Sequence, residues 1–74
     1  MHKFSERIKE LRNLKNLSLS KFAKIIHIDV RTLKKWEKGN CRISSKYVFL
    51  VSAIFNVSVN WLAGIDNDIN ISNK

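Results

Sequence analysis

The chain contains no proline and only two glycines, Gly39 and Gly64, in 74 residues. That poverty of turn-formers argues against a β-sandwich or barrel, which punctuates its many short strands with both. A single cysteine, Cys41, leaves no intramolecular disulfide. It points to a reducing compartment, so a cytoplasmic location is expected. The opening Met1-His2-Lys3-Phe4-Ser5-Glu6 lacks the apolar stretch of a signal peptide. A long hydrophobic run is missing too. Tyr47 to Ile65 carries no charge, but Ser52, Asn56, Ser58, Asn60 and Gly64 interrupt it. It also falls short of the ~20 apolar residues a membrane span requires, so a buried helix pair accounts for it better. There is no carboxylate pair, Cys/His pair or nucleotide loop, and an enzyme is the least expected reading. His2 and His27 stand apart from any set with metal-ligand spacing, and Cys41 has no partnering base; no metal, cofactor or small-molecule ligand is expected.

What remains is a folding sequence, 45% hydrophobic and sized for one domain. Acids are few: six Asp and Glu against 14 Lys and Arg, a formal +8 with a pI near 10.1. The imbalance is local. Residues 1–46 hold 13 of the 14 bases and four of the six acids, a net +9, and residues 47–74 come to −1. A basic half joined to a neutral apolar half fits a polyanion surface backed by a core or self-association element. The alternative is a set of lysine-rich helices that are simply solvated.

Five helices are predicted. Ser5 is read as the cap of the first, with Phe4, Ile8 and Leu11 on one face and an end between Asn13 and Asn16. Ser18 caps the second, whose stripe is Leu19, Phe22, Ala23 and Ile26. Lys21 lies in its first turn, where a cation opposes the helix dipole and a phosphate would relieve it. Asp29 caps the third, which runs to Lys38 with Val30, Leu33 and Trp36 spaced for burial and Arg31, Thr32, Lys34, Lys35 and Lys38 on the polar face. Gly39 terminates it. Ser44 or Ser45 starts the fourth, with Tyr47, Leu50, Val51 and Ile54 as the expected stripe, and Asn56 closes it. Ser58 caps a short fifth helix that Gly64 ends. The domain is expected over residues 1–65, and residues 66–74 form a polar, flexible tail. Phe49, Val59 and Ile65 exceed what one packed face needs, either as ordinary surface hydrophobes or as a self-association patch.

Two short helices with a tight turn, the second rich in Arg, Lys and Thr on its exposed face, match the helix-turn-helix architecture. Three runs then carry a family resemblance: Leu17-Ser18-Leu19-Ser20-Lys21-Phe22-Ala23, Thr32-Leu33-Lys34-Lys35-Trp36-Glu37-Lys38-Gly39, and Phe55-Asn56-Val57-Ser58-Val59-Asn60-Trp61-Leu62. Together, over roughly residues 4–65, the sequence resembles the phage Cro/repressor-type helix-turn-helix family. The resemblance implies an all-α, compact five-helix lambda-repressor-like fold, with helices 2 and 3 as the helix-turn-helix. It implies a transcriptional regulator that binds double-stranded DNA, its third helix in the major groove, usually as a homodimer, here through helices 4 and 5.

Carried over by position, the resemblance puts Val30, Arg31, Thr32 and Lys35 at base contacts. Arg31 and Lys35 suit the two acceptors on the major-groove edge of guanine, Val30 suits a thymine methyl, and Thr32 suits a phosphate or a thymine methyl. Lys34, Lys38 and Arg42 fit phosphate contacts, as do Ser18, Ser20 and Lys21 at the start of the second helix. Arg12 and Glu37 are expected to form a structural ion pair. The sequence departs from the family at Leu19, where glutamine is usual, at His27, where glycine is usual, and at Ile43-Ser44-Ser45, where a proline is usual. The rival reading is a protein-interaction module, such as an antitoxin or anti-repressor partner, that keeps the fold without specific DNA recognition. Leu19 and Val30 favour it, and the lysine density of helix 3 opposes it. A non-specific nucleic-acid coater is the third reading.

Overall fold

A computed structural model of the chain describes residues 2–39 and 42–71. Its five helices are α1 (His2–Leu14), α2 (Leu19–Ile25), α3 (Val30–Lys38), α4 (Ser45–Phe55) and α5 (Val59–Leu62). The described residues contain no strand, and the fold is of the lambda-repressor-like helix-turn-helix kind. Cys41 lies outside the described residues.

The caps follow from local chemistry. Ser18 accepts the N–H of Lys21 at 3.1 Å, Asp29 that of Arg31 at 2.8 Å, and Ser58 that of Trp61 at 3.2 Å. Each satisfies one orphan donor in a first turn, typically contributing about 1 kcal/mol. At the other ends, left-handed residues stop the helices: Gly39 (φ 75°) after α3 and Asn56 (φ 56°) after α4. Gly64 (φ 78°) is demanded twice over, because a Cβ there would also overlap Cβ and Cγ of Lys3.

The core is built where the helices converge. Phe4, Ile8 and Leu11 of α1 are fully buried and meet Phe22, Ala23 and Ile26, Leu33 and Trp36, Val51, and Trp61 and Leu62. Here α1 packs on α3 and α5, α2 on α3, and α4 on α5. Aromatic contacts lock the arrangement. Trp36 stands edge-on to Phe4 at 5.8 Å and to Tyr47 at 5.1 Å, and Phe22 stacks on Phe55 at 4.9 Å.

Two expectations are corrected. Ser5 does not cap α1. The helix begins at His2, and Ser5 is buried inside its first turns, because Phe4 already belongs to the stripe that seats α1 on the core. The buried face of α4 is also turned from the one expected. Val48, Val51 and Ser52 point inward, Tyr47 and Leu50 are half-buried, and Ile54 is exposed. Ser52 can occupy a core position because its hydroxyl donates to the Val57 carbonyl, which removes the cost of burying it. Beyond Gly64 the chain turns back over α5. Ser58 N–H donates to Ile69 O at 2.8 Å, and Ile69 packs half-buried against the core.

Candidate nucleic-acid interface

The α2–α3 unit is closed by backbone bonds. Ile28 N–H reaches back to Ala23 O at 2.9 Å and His27 N–H to Lys24 O at 3.2 Å. This tight link needs a left-handed residue, and His27 fills it at φ 59°. For a side chain larger than glycine that conformation costs about 1–2 kcal/mol, offset by the packing it allows between α2 and α3. Ala23 is buried in that contact, where a larger side chain would force the helices apart.

With α3 anchored inward by Leu33 and Trp36, its other side faces solvent. Arg31, Lys34, Lys35 and Lys38 are all exposed, and their i, i+3, i+4, i+7 spacing sets them in one stripe. Lys34, Lys35 and Lys38 have no carboxylate within ion-pair distance among the described residues. Like charges at i,i+4 cost about 0.2–0.5 kcal/mol per pair in a free helix, so the stripe destabilises the isolated domain slightly. A polyanion would remove that cost. Thr32 and Val30 flank the stripe half-buried, and Val30 also packs on the core.

The other expected contacts surround this stripe. Ser18, Ser20 and Lys21 are exposed at the start of α2, and Arg42 is exposed beyond the end of α3. Lys34 and Lys38 share a shallow recess of about 280 Å³ with Lys9, Arg12, Leu19 and Glu37. The contacts that the family resemblance implies do not include Lys9, which lies on α1. Nothing local marks it, because the cations it joins, Lys34 and Lys38, stand 25 and 29 positions away. Leu19 is half-buried in the same recess and packs against the core, so it serves α2 docking where a polar residue is usual.

At the floor of the recess Arg12 and Glu37 pair side by side. Arg12 Nε donates to Glu37 Oε2 at 2.8 Å and Nη2 to Oε1 at 3.1 Å, while Nη1 donates to Leu17 O at 3.0 Å. One guanidinium therefore ties α1, the α1–α2 link and the last turn of α3 together. The hydrogen bond to Glu37 raises the Arg12 pKa above its already high ordinary value, outweighing the lowering effect of burial. Arg12 therefore keeps its charge as pH rises, and alkali does not open the pair. Sequence position alone would not pair residues 25 apart; the family resemblance supplied that expectation.

At the N-terminus of α3, Asp29 accepts the Arg31 N–H and also meets the Arg31 guanidinium. Those hydrogen bonds hold the Asp29 carboxyl below its ordinary range and raise Arg31. Any stability from this contact is in place above the ordinary carboxylate pKa and is lost as pH falls through the lowered value. Among the described residues, no group of three or more His, Cys, Asp or Glu is placed to hold a metal.

A family model described as helix-turn-helix matches residues 8–62, which is most of the chain. The chain belongs to the Cro/repressor-type helix-turn-helix family. No curated protein and no solved structure gives a match. The helix-turn-helix match reaches from Ile8 in α1 to the last residue of α5, so it spans the α2–α3 unit and the helices that hold it. Membership makes the protein a DNA-binding helix-turn-helix regulator, from a family of regulatory rather than enzymatic domains. Among the described residues, no helix is long and apolar enough to cross a membrane.

Proposed function

We propose that this helix-turn-helix protein is a sequence-specific, repressor- or Cro-like regulator that lays α3 in the major groove of double-stranded DNA. The observation that carries the reading is the cationic stripe of α3, in which Lys34, Lys35 and Lys38 have no ion-pair partner among the described residues and Arg31 meets only Asp29, set opposite the Leu33–Trp36 anchor. Arg31 and Lys35 then read guanine, with Thr32 and Val30 against thymine methyls. Phosphates are met by Ser18, Ser20, Lys21, Lys34, Lys38 and Arg42, and Lys9 extends that set through its shared recess with Lys34 and Lys38.

The acting unit is a homodimer on an inverted repeat, joined through α4 and α5. Phe49 and Ile65 support this, being 61% and 77% exposed beside an otherwise apolar helix pair. Leu19 and Val30, which favour the protein-interaction alternative by replacing polar groups at contact positions, are half-buried against the core, so helix packing accounts for their apolar side chains as well.

Base readers and phosphate contacts separate in a salt titration. Lys38→Ala and Lys9→Ala should each weaken binding to all duplexes about equally and lower the slope of log affinity against log salt by about 1. Arg31→Ala should cost about 1–3 kcal/mol at one base position with the other preferences kept. If Lys9→Ala leaves both affinity and slope as in the parent, α1 does not touch the backbone.

A further inference from the structure

Asp29 carries more than a helix cap requires. Capping uses one acceptor oxygen, and Ser18 and Ser58 do the same work on α2 and α5 with a neutral hydroxyl. At α3 the cap bond is made by Oδ1, which also receives Arg31 Nε at 3.2 Å. The second oxygen, Oδ2, accepts Arg31 Nη2 at 3.3 Å. That oxygen and the negative charge exceed what capping needs.

The Arg31 side chain is 84% exposed, and Asp29 is its one ion-pair partner among the described residues. Without that contact so exposed a side chain would sample many rotamers, and docking would have to freeze it. A guanidinium has five N–H donors in a planar fork. The Asp29 carboxylate takes Nε–H and one hydrogen of Nη2. Both Nη1 hydrogens and the second Nη2 hydrogen stay free. One from each Nη forms the parallel end-on pair that matches the adjacent O6 and N7 acceptors of guanine.

We propose that Asp29 is a positioning residue for base recognition: its carboxylate holds Arg31 at the first turn of α3 with the terminal N–H pair presented to one guanine of the DNA. The inference rests on the reading that α3 enters the major groove. It adds a second effect. A carboxylate at this edge of the cationic stripe repels phosphates, so Asp29 lowers affinity for DNA that lacks the guanine while favouring DNA that has it.

The test compares the parent with Asp29→Asn and Arg31→Ala, each selected on a random-sequence duplex library and titrated on the enriched duplex and a scrambled one. The asparagine amide oxygen keeps an acceptor for the Arg31 N–H, so the melting temperature should hold. Arg31→Ala should erase the guanine preference at one position. Asp29→Asn should bind the scrambled duplex more tightly and lose about two- to twelvefold of the preference at that same position, the cost of freezing one long side chain. Should Asp29→Asn fail to fold, Asp29→Ser supplies a hydroxyl cap without the second oxygen.

A merely capping Asp29 would leave both DNA affinities in fixed ratio, so an unchanged guanine preference in Asp29→Asn, with Arg31→Ala still erasing it, overturns the proposal alone. If Arg31→Ala leaves every base preference intact, Arg31 reads no base, and the positioning role falls together with that part of the docking scheme.

Discussion

Trp36→Ala is expected to cost about 3–5 kcal/mol and to leave the domain largely unfolded at 37 °C. Folded proteins hold about 0.05–0.15 kcal/mol per residue, or about 4–11 kcal/mol for a chain of this length. One truncation would thus consume a large share of the total. Trp36 earns this weight by position. It is 3% exposed, is gripped edge-on by Phe4 from α1 and by Tyr47 from α4, and is the largest buried side chain of the helix whose opposite face carries Arg31 and Lys35. With alanine the two ring contacts vanish and the surrounding helices cannot collapse on the void without moving α3. Domains of this size lose about 4–8 °C of melting temperature per kcal/mol, so a fall of about 12 °C or more should be seen by circular dichroism. Trp36→Phe, which keeps a ring between Phe4 and Tyr47, should fall much less. A Trp36→Ala protein melting within a few degrees of the parent would show that α3 is held by something else.

Breaking the Arg12–Glu37 pair is the second large effect. Glu37→Ala leaves Arg12 Nε and Nη2 without acceptors in a position only 15% exposed, while Nη1 keeps Leu17 O. Removing one partner of a buried pair costs about 3–5 kcal/mol, and the partial exposure here places the result near the lower figure. The penalty comes from the stranded charge more than from the lost attraction. Replacing both residues together by apolar ones, as in Arg12→Met with Glu37→Leu, should therefore recover most of the loss. Since the raised Arg12 pKa keeps its charge through any folded pH range, the pair is opened by substitution and not by alkali. Chemical denaturation of the two single variants and the double variant gives the coupling directly. A Glu37→Ala protein as stable as the parent would mean the pair contributes nothing.

Sequence reasoning succeeded where the determining interaction is short. The caps at Ser18, Asp29 and Ser58 and the stops at Gly39 and Asn56 are set within four residues, and each lies where its side chain or φ preference demands. The stripe of α3 was equally legible, since apolar and cationic residues separate by helical period. Both failures have a physical cause. Ser5 could cap a helix, yet Phe4 one residue earlier had to be buried, and burial of a large ring outweighs one capping bond. The helix α4 has apolar side chains on nearly every side, so periodicity gives its inward face no direction; Val48 and Ser52 are chosen by neighbours in α5 and the α4–α5 link. Lys9 shows the same limit at the interface. Its place beside Lys34 and Lys38 depends on how α1 crosses α3, which no local pattern encodes.

The central claim is that the stripe on α3 reads DNA sequence, with two copies acting together. Selection of the purified protein on a random duplex library, at low and at near-physiological salt, tests it most directly. The account expects an enriched inverted repeat whose half-sites lie about one helical turn apart, retained at the higher salt. Salt-sensitive retention without any enriched sequence would contradict sequence reading, and no retention at either salt would contradict a DNA-docking role for α3 altogether.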